Sequence, residues 1–273
     1  MVDQVQLETF QAVVEQGSFE GAARVLHVTP SAVSQRIKAL ERAIGQVLVR
    51  RAKPCTATVA GEALIRFAGQ VALLEKEALD QARGGTRVSI VVNADSLNTW
   101  FLPVLTQVPA ATFEIHTDDQ DYTADLLRSG TAMAAVTAEN VAVQGCRVER
   151  LGAMRYLAIA APGLSFESAP MIVYNRKDQL QHRFLAMVGR RPPERIHYVP
   201  AAAAFNEAIR IGLGWGTVPE QNAEPLLASG QYVQIFPGEH LDIPLYWQYW
   251  RIESALLNEL TAAVRTAAVT ALR

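Results

Sequence analysis

The sequence predicts an α/β protein in three parts: an all-α N-terminal module, a long connecting helix and a C-terminal α/β region in two lobes. Up to about residue 83 the apolar residues recur at helical spacing, whereas beyond Gly84-Gly85 short β-branched runs alternate with helical stretches. Those later strands fall into two clusters, which is the third observation. At 273 residues, 50% of them hydrophobic, the chain exceeds one typical domain and can bury substantial cores.

Val5 to Gln16 reads as a helix that buries Leu7, Phe10, Val13 and Val14, and Gly17 stops it. Ser18 caps a second helix, on which Gly21, Ala22 and Ala23 give a small-residue face for close packing. Thr29 caps a third, with Pro30 at its first position, where a missing N–H costs nothing. There Val33, Ile37, Leu40 and Ile44 form one apolar stripe, at spacings of four, three and four. Ser31, Ser34, Gln35 and Lys38 lie off it and face outward, with Arg36 beside them. Short hydroxyls, an amide and cations on an exposed helix suit the major groove of DNA. The pattern equally fits a helical hairpin with a solvated polar face.

The run VLVRRAKPCTAT then reads as a small hairpin, or wing, with Arg50, Arg51 and Lys53 near its tip. Cations there are placed for a phosphate backbone, although a solvated basic turn is the plainer alternative. Between Arg24 and Lys53 seven Lys and Arg residues face one acid, Glu41, in a chain whose net charge is −2. That asymmetry favours a local anion-binding module.

Thr58 to Arg83 forms one long helix, on which Ala60, Leu64, Phe67, Val71, Leu74 and Ala78 recur as a heptad seam. Intramolecular packing would account for the seam, but a helix linking two domains has little local core to lean on. Self-association through Leu64, Phe67, Val71 and Leu74 is the favoured reading.

Beyond Gly84-Gly85, RVSIVVN (87–93) suits a strand buried on both faces. ADSLNTW follows, then a helix with Phe101, Leu102, Val104 and Leu105. ATFEIHT (111–117), an acidic loop with Asp118, Asp119 and Asp121, a short helix ending near Gly130, TAMAAVT (131–137) and RYLAIAA (155–161) continue the first cluster. An open parallel sheet is expected from them. MIVYN (171–175), a helix near 179–188, IHYV (196–199), an Ala-rich helix (201–211), GLGWGTVP (212–219), another helix and YVQIF (232–236) make the second. PLYWQYW (244–250) and a closing helix (254–272) return to the first sheet, leaving a cleft between lobes where a ligand would bind.

The two cysteines, Cys55 and Cys146, belong to no CxxC pattern, and no apolar span reaches 18 residues. A reduced, soluble, cytoplasmic protein without membrane attachment is expected. No G-x-S-x-G, H-E-x-x-H or P-loop pattern occurs, and the five histidines are scattered without ligand spacing, so neither catalytic residues nor a metal or other cofactor are expected. A two-lobed solute-binding protein without a DNA role is the alternative. The basic winged module argues against it.

The order of winged helix-turn-helix, linker helix and two α/β lobes resembles a LysR-type transcriptional regulator. FQAVVEQGSFEGAARVLHVTPSAVSQRIKALERAIGQVLVRR, then Thr58, Gly61 and the linker helix, carry the likeness over about the first 80 residues. Asn175 to Asp178 (NRKD) and Asp118 to Asp121 (DDQD) resemble the branch that regulates basic-amino-acid export. The resemblance implies an effector domain like a type 2 periplasmic binding protein, in a homodimer or dimer of dimers on double-stranded DNA. A small molecule, lysine or arginine in that branch, would shift the protomers, and RNA polymerase stays open as a further partner.

Carried over by residue, Ser31, Ser34, Gln35, Arg36 and Lys38 match the family's reading helix, and Arg50, Arg51 and Lys53 its wing. Ser96, Asn98 and Thr99, with neighbouring Trp100, match the loop that commonly holds a carboxylate effector, and a strand end opening into a helix N-terminus is an anion site in its own right. Asp119 and Asp121 are the candidates for a cationic end; the other reading has them solvate the loop or favour the next helix's positive end. Asn175 and Asp178 would line the opposing lobe, and Trp215 either walls the cleft or packs in a core. The domains are then 1–57, 58–84 and 85–273, with lobe I at about 85–161 and 240–273 and lobe II at about 162–239. Only PGLSFESAP joins Ala161 to Met171, where related chains carry a longer helical segment, so the connection is either trimmed or interrupted by omitted residues.

Overall fold

The computed structural model describes residues 3–80, 86–117 and 123–273. The Gly84-Gly85 boundary and the acidic segment with Asp118, Asp119 and Asp121 lie outside the described residues. Three helices, α1 (Gln4–Glu15), α2 (Phe19–Val25) and α3 (Pro30–Ile44), pack around Phe10, Val13, Ala22, Val33, Ile37 and Leu40. Their starts are capped by the side chains of Asp3, Ser18 and Thr29, which accept from Val5, Gly21 and Ala32 N–H. Ile44 departs from the expected stripe. It stands in the last turn of α3, 37% exposed, and Leu48 and Val49 of the next segment complete the core instead.

The wing is the hairpin of β1 (Val49–Arg50) and β2 (Thr56–Ala57). Glu41, the lone acid of the basic stretch, accepts from Leu48 N–H at 3.0 Å and Val49 N–H at 3.4 Å and so ties the wing to α3. The linker helix α4 (Val59–Asp80) follows, with Gly61 so close to Leu48 that a Cβ there would lie 2.3 Å from its carbonyl oxygen.

The C-terminal region differs from the expected parallel arrangement. Strands β3 (Thr86–Val92), β4 (Ala111–His116) and β5 (Ala134–Thr137) are parallel, but β11 (Leu241–Trp250) joins β5 antiparallel and also pairs antiparallel with β6 (Cys146–Ala160). The sheet is therefore mixed, because the chain returns to it from the second lobe in the opposite direction. β6 begins nine residues before the expected strand at 155, and its charged first half (Arg147, Glu149, Arg150) hid it from a hydrophobicity reading. Its second half continues into lobe II, pairing with β9 (Gly216–Pro219) and β10 (Val233–Gln234). There Leu157 and Ile159 face one core with Phe205 and Ile209, while Ala158 and Ala160 face another with Met171, Phe184 and Trp215. β7 (Met171–Val173) and β8 (Ile196–Tyr198) form a parallel pair beside them.

Helices cover these sheets. The helical run from Ala94 to Leu105 comprises α5 (Ala94–Ser96), a π-helical turn (Leu97–Phe101) and α6 (Leu102–Leu105). α7 (Thr123–Arg128) and α11 (Ala255–Ala271) complete lobe I, and α8 (Leu180–Met187), α9 (Ala202–Arg210) and α10 (Glu220–Ala228) surround lobe II. The short connection after β6 closes on itself through Ala169 N–H to Ser165 O at 3.0 Å, and its Phe166 packs on Trp215 and Phe236.

Candidate nucleic-acid interface and effector cleft

On α3 the burial of Val33, Ile37 and Leu40 fixes what faces out: Ser31, Gln35, Lys38 and Arg42 form one exposed row. Ser34 is half-buried at its flank. Arg36 turns the other way, its guanidinium donating to Thr9 Oγ1 on α1 at 3.4 Å. Arg42 counts among the cations of the basic stretch but not among the expected DNA contacts, although its spacing from Lys38 and Gln35 places it in the same row. In the wing Arg50, Arg51 and Lys53 are exposed, and Arg51 lies 5.1 Å above the Phe19 ring, which holds it beside the N-terminus of α2. An exposed polar row between basic flanks is the arrangement that a duplex groove and its phosphates accept.

The linker helix has two faces. Ile65, Arg66 and Ala68 are buried, whereas Phe67, Val71 and Leu74 are 48%, 38% and 42% exposed, and Leu64 lies half-buried between the faces. The exposed residues belong to the heptad seam, so the protomer itself leaves much of that seam uncovered.

Between the lobes lies a cleft lined by Asn93, Ala94 and Asp95 at the end of β3, Tyr174, Asp178, Leu180 and Gln181 around α8, and Phe205, Asn206, Thr217, Pro219 and Asn222 on α9, β9 and α10. Gly216, before Thr217, lets the Phe205 ring pack close: a Cβ there would lie 2.8 Å from it. Three lining residues carry buried oxygens with no hydrogen-bond partner among the described residues, namely Asn93 Oδ1, Gln181 Oε1 and Thr217 Oγ1. Two acids join them. Asp95 Oδ2 accepts from Tyr156 OH at 2.8 Å. Asp178 is buried, accepting from Tyr174 N–H at 3.1 Å and Leu180 N–H at 2.9 Å. Burial pushes its carboxyl above the usual range, against the pull of those N–H donors.

The structure thus distributes the expected cleft residues unevenly. Ser96 is fully buried one step past the lining residues, its Oγ also without a partner among the described residues. Asn98 and Thr99 turn back onto the helix, donating to Ala94 O and Asp95 O at 2.7 Å. Trp100 is in the lobe I core against Phe101, and Trp215 in a lobe II core against Phe166. Asn175 shapes a turn, accepting from Lys177 and Asp178 N–H, while Asp178 lines the cleft. The sequence reading missed Asn93, Asp95, Gln181 and Thr217. The strand end at Asn93 was a usable signal for the first two, whereas nothing local marks Gln181 or Thr217.

Residues 5–62 match the family model described as a bacterial regulatory helix-turn-helix protein of the lysR family, and residues 81–270 match the LysR substrate binding domain. The HTH-type transcriptional regulator LysG of Mycobacterium tuberculosis is 47% identical over 285 aligned positions, covering 98% of this chain and 94% of the relative. The lysine export transcriptional regulatory protein LysG of Corynebacterium glutamicum is 43% identical, covering 98% and 99%. Among solved structures, ArgP from M. tuberculosis superposes with a TM-score of 0.89 at 46% identity, covering 100% and 99%. Full-length C. glutamicum LysG with bound effector Arg gives 0.83 at 43% identity, covering 99% of each chain. A second full-length structure of that regulator gives 0.63 at 41%, covering 100% of each.

Proposed function

The chain belongs to the LysR family of bacterial helix-turn-helix regulators, and on that premise we propose that it controls export of a basic amino acid in response to arginine or lysine held between its lobes. As a member of this family it is a DNA-binding transcriptional regulator with a small-molecule effector, and not an enzyme. The lysine-export name and the bound arginine belong to the C. glutamicum relative and support the same effector class here.

One observation carries the effector reading: three buried cleft oxygens have no hydrogen-bond partner among the described residues, and two carboxylates lie in the same lining. An unmatched buried acceptor costs about 1–3 kcal/mol, so Asn93 Oδ1, Gln181 Oε1 and Thr217 Oγ1 call for a ligand rich in N–H groups. A basic amino acid brings an ammonium at one end and an ammonium or guanidinium at the other, with no acceptor beyond its carboxylate. Asp95 and Asp178 supply negative charge against those cations, with Asp119 and Asp121, outside the described residues, as further candidates. The start of the helical run at Ala94 suits the carboxylate, with the expected Ser96 buried one residue beyond the lining. Asn98, Thr99, Trp100, Asn175 and Trp215 lie outside the lining and support the elements that carry it.

At the output end, Ser31, Ser34, Gln35 and Lys38 read the major groove with Arg42, Arg36 braces the reading helix on α1, and Arg50, Arg51 and Lys53 hold the phosphates. Leu64, Phe67, Val71 and Leu74 pair two linker helices, so that two reading helices meet successive turns of a two-fold site. Dimers then pair into tetramers on DNA, in the cytoplasm, with RNA polymerase as a further partner. The units are residues 1–57, 58–84 and 85–273.

Calorimetry with arginine, lysine, citrulline and leucine tests the effector. Arginine or lysine should bind, with citrulline at least about 10-fold weaker for want of charge, and Asp95→Asn should weaken the cationic ligands more than citrulline. Equal affinity for all four would refute the reading. Anisotropy titrations on the gene's own upstream DNA test the output, and no binding at low salt would refute it.

A further inference from the structure

Among the described residues the buried side chains of ordinarily charged type are Asp178, in the cleft, and Arg66, in the linker helix. Arg66 is 7% exposed and lies far along the sequence from the cleft residues. Its Nη1 donates to Arg128 O at 2.6 Å, the carbonyl of the last residue of α7 in lobe I. No carboxylate among the described residues pairs with it. A guanidinium there meets the negative end of a helix and satisfies a carbonyl that the helix itself leaves open.

The surroundings make this a fitted joint. Gly130, just past α7 with φ +74°, approaches α4 so closely that a Cβ would lie 2.9 Å from Ile65 Cγ2 and 3.3 Å from Arg66 N. Ile65 is at the same time part of the winged-helix core. One turn further on, a Cβ at Gly69 would lie 2.7 Å from Trp250 Cη2. α7 packs on β3, the strand that ends at Asn93 in the cleft, and on β5. A continuous set of packed groups therefore runs from cleft to winged helix through Arg66.

A buried cation is a poor stabiliser, because desolvation offsets most of what its partners return. Where one is placed at a joint between domains, a part in fixing which of two packings is adopted is its best-supported use. The two solved structures of the C. glutamicum regulator match this chain unequally at nearly equal identity, with TM-scores of 0.83 and 0.63, so the two differ in how closely they superpose on it. This chain superposes better on the one with bound effector Arg.

We propose that Arg66 is a positioning residue for the effector response: by capping α7 it locks the linker helix onto lobe I, and the effector changes DNA binding by altering the geometry of this lock. The proposal rests on the effector reading given above.

The test uses the full chain with Arg66→Met, which keeps the length and apolar stem of the side chain, and Arg66→Lys, which keeps a charge. For each, arginine affinity is measured by calorimetry, and operator affinity by anisotropy with and without arginine. Amide exchange across α7 reports the joint directly, and acrylamide quenching of tryptophan fluorescence follows it through Trp250, one of the four tryptophans. The wild type should show coupling of at least about 5-fold between arginine and operator. Arg66→Met should bind arginine within about 2-fold of wild type while its coupling falls below about 2-fold, and Arg66→Lys should recover part of it. Exchange across α7 should speed up and quenching rise in Arg66→Met without effector present. Unchanged coupling in Arg66→Met would overturn the proposal. If the wild type shows no arginine response, the effector reading fails, and unaltered exchange and quenching in Arg66→Met would then overturn the lock independently.

Discussion

Thr217→Val separates a ligand-binding hydroxyl from a structural one, because the two roles predict opposite signs. Thr217 lies on β9 opposite Ala158 of β6, 4% exposed, and its Oγ1 has no partner among the described residues. With no protein partner among the described residues, burying that hydroxyl costs up to about 1–3 kcal/mol. Valine keeps the β-branched shape and removes the cost, so the effector domain should gain roughly 1 kcal/mol, near the low end. For a region of this size that is a rise in melting temperature of about 2–4 °C. The same change deletes an acceptor for a cationic donor, a bond of about 1.5–3 kcal/mol, so arginine should bind about 10- to 150-fold more weakly. Differential scanning fluorimetry and calorimetry on one preparation read both quantities. A lower melting temperature with unchanged arginine affinity would refute the reasoning, since Thr217 would then be holding β9 rather than waiting for a ligand.

Gln35→Ala should cost about 1–3 kcal/mol on the preferred operator and relax sequence preference there, while Lys38→Ala should weaken all sequences alike; if its contact is to a phosphate, the salt slope falls by about one. Both follow from anisotropy titrations at several salt concentrations, and an unchanged preference in Gln35→Ala would exclude that residue as a reader. Phe67→Asp puts a charge on the exposed part of the linker seam and should halve the mass seen by light scattering, leaving the fold intact by circular dichroism. Glu149 accepts from Arg265 Nη2 at 2.7 Å and Nε at 2.8 Å and from Tyr249 OH at 2.6 Å. Chiefly the hydrogen bond from Arg265 holds its carboxyl below the ordinary value of 4.5. Because the folded-state pKa is the lower one, its stabilisation is present above about pH 4.5 and is lost as pH falls through the lowered value. Urea midpoints against pH should therefore drop on the acid side in wild type and drop less in Glu149→Gln.

The DNA-reading end was legible because its information is local. One helix carries its own cap at Thr29, its buried stripe and its polar row, so residue spacing alone places Ser31, Gln35 and Lys38 on the outer face. Where that logic met the third dimension it failed in small ways. Ile44 lost its place in the core to Leu48, and Arg36, expected as a DNA contact of the reading helix, reaches Thr9 on α1. The cleft was less legible for a physical reason. Asn93, Gln181 and Thr217 come from three elements separated by some ninety and some thirty-five residues, and each is unremarkable in its own segment. What singles them out is a missing partner, which only the folded chain can show. Conversely, Asn98 and Thr99 had the right chemistry in the right loop, and helical back-bonding took their polar groups.

Arg66 shows why the connection between the two ends was least visible. In the sequence it is one more cation on a long helix, adjacent to Phe67 on the seam and indistinguishable from a solvated position. Helical geometry settles the matter only once it is known what lies on each side. With Phe67, Val71 and Leu74 exposed, the neighbouring face with Ile65, Arg66 and Ala68 must be the one that packs on its own protomer. The two faces have different energetics. An apolar seam gains free energy in proportion to the area it buries and sustains a lasting contact between subunits. A buried guanidinium capping a helix nearly balances its own desolvation, so Arg66 adds little to the strength of the joint and acts mainly on its geometry. A helix built from both can keep a dimer together while its orientation on the effector domain changes, which a reader of DNA under ligand control requires.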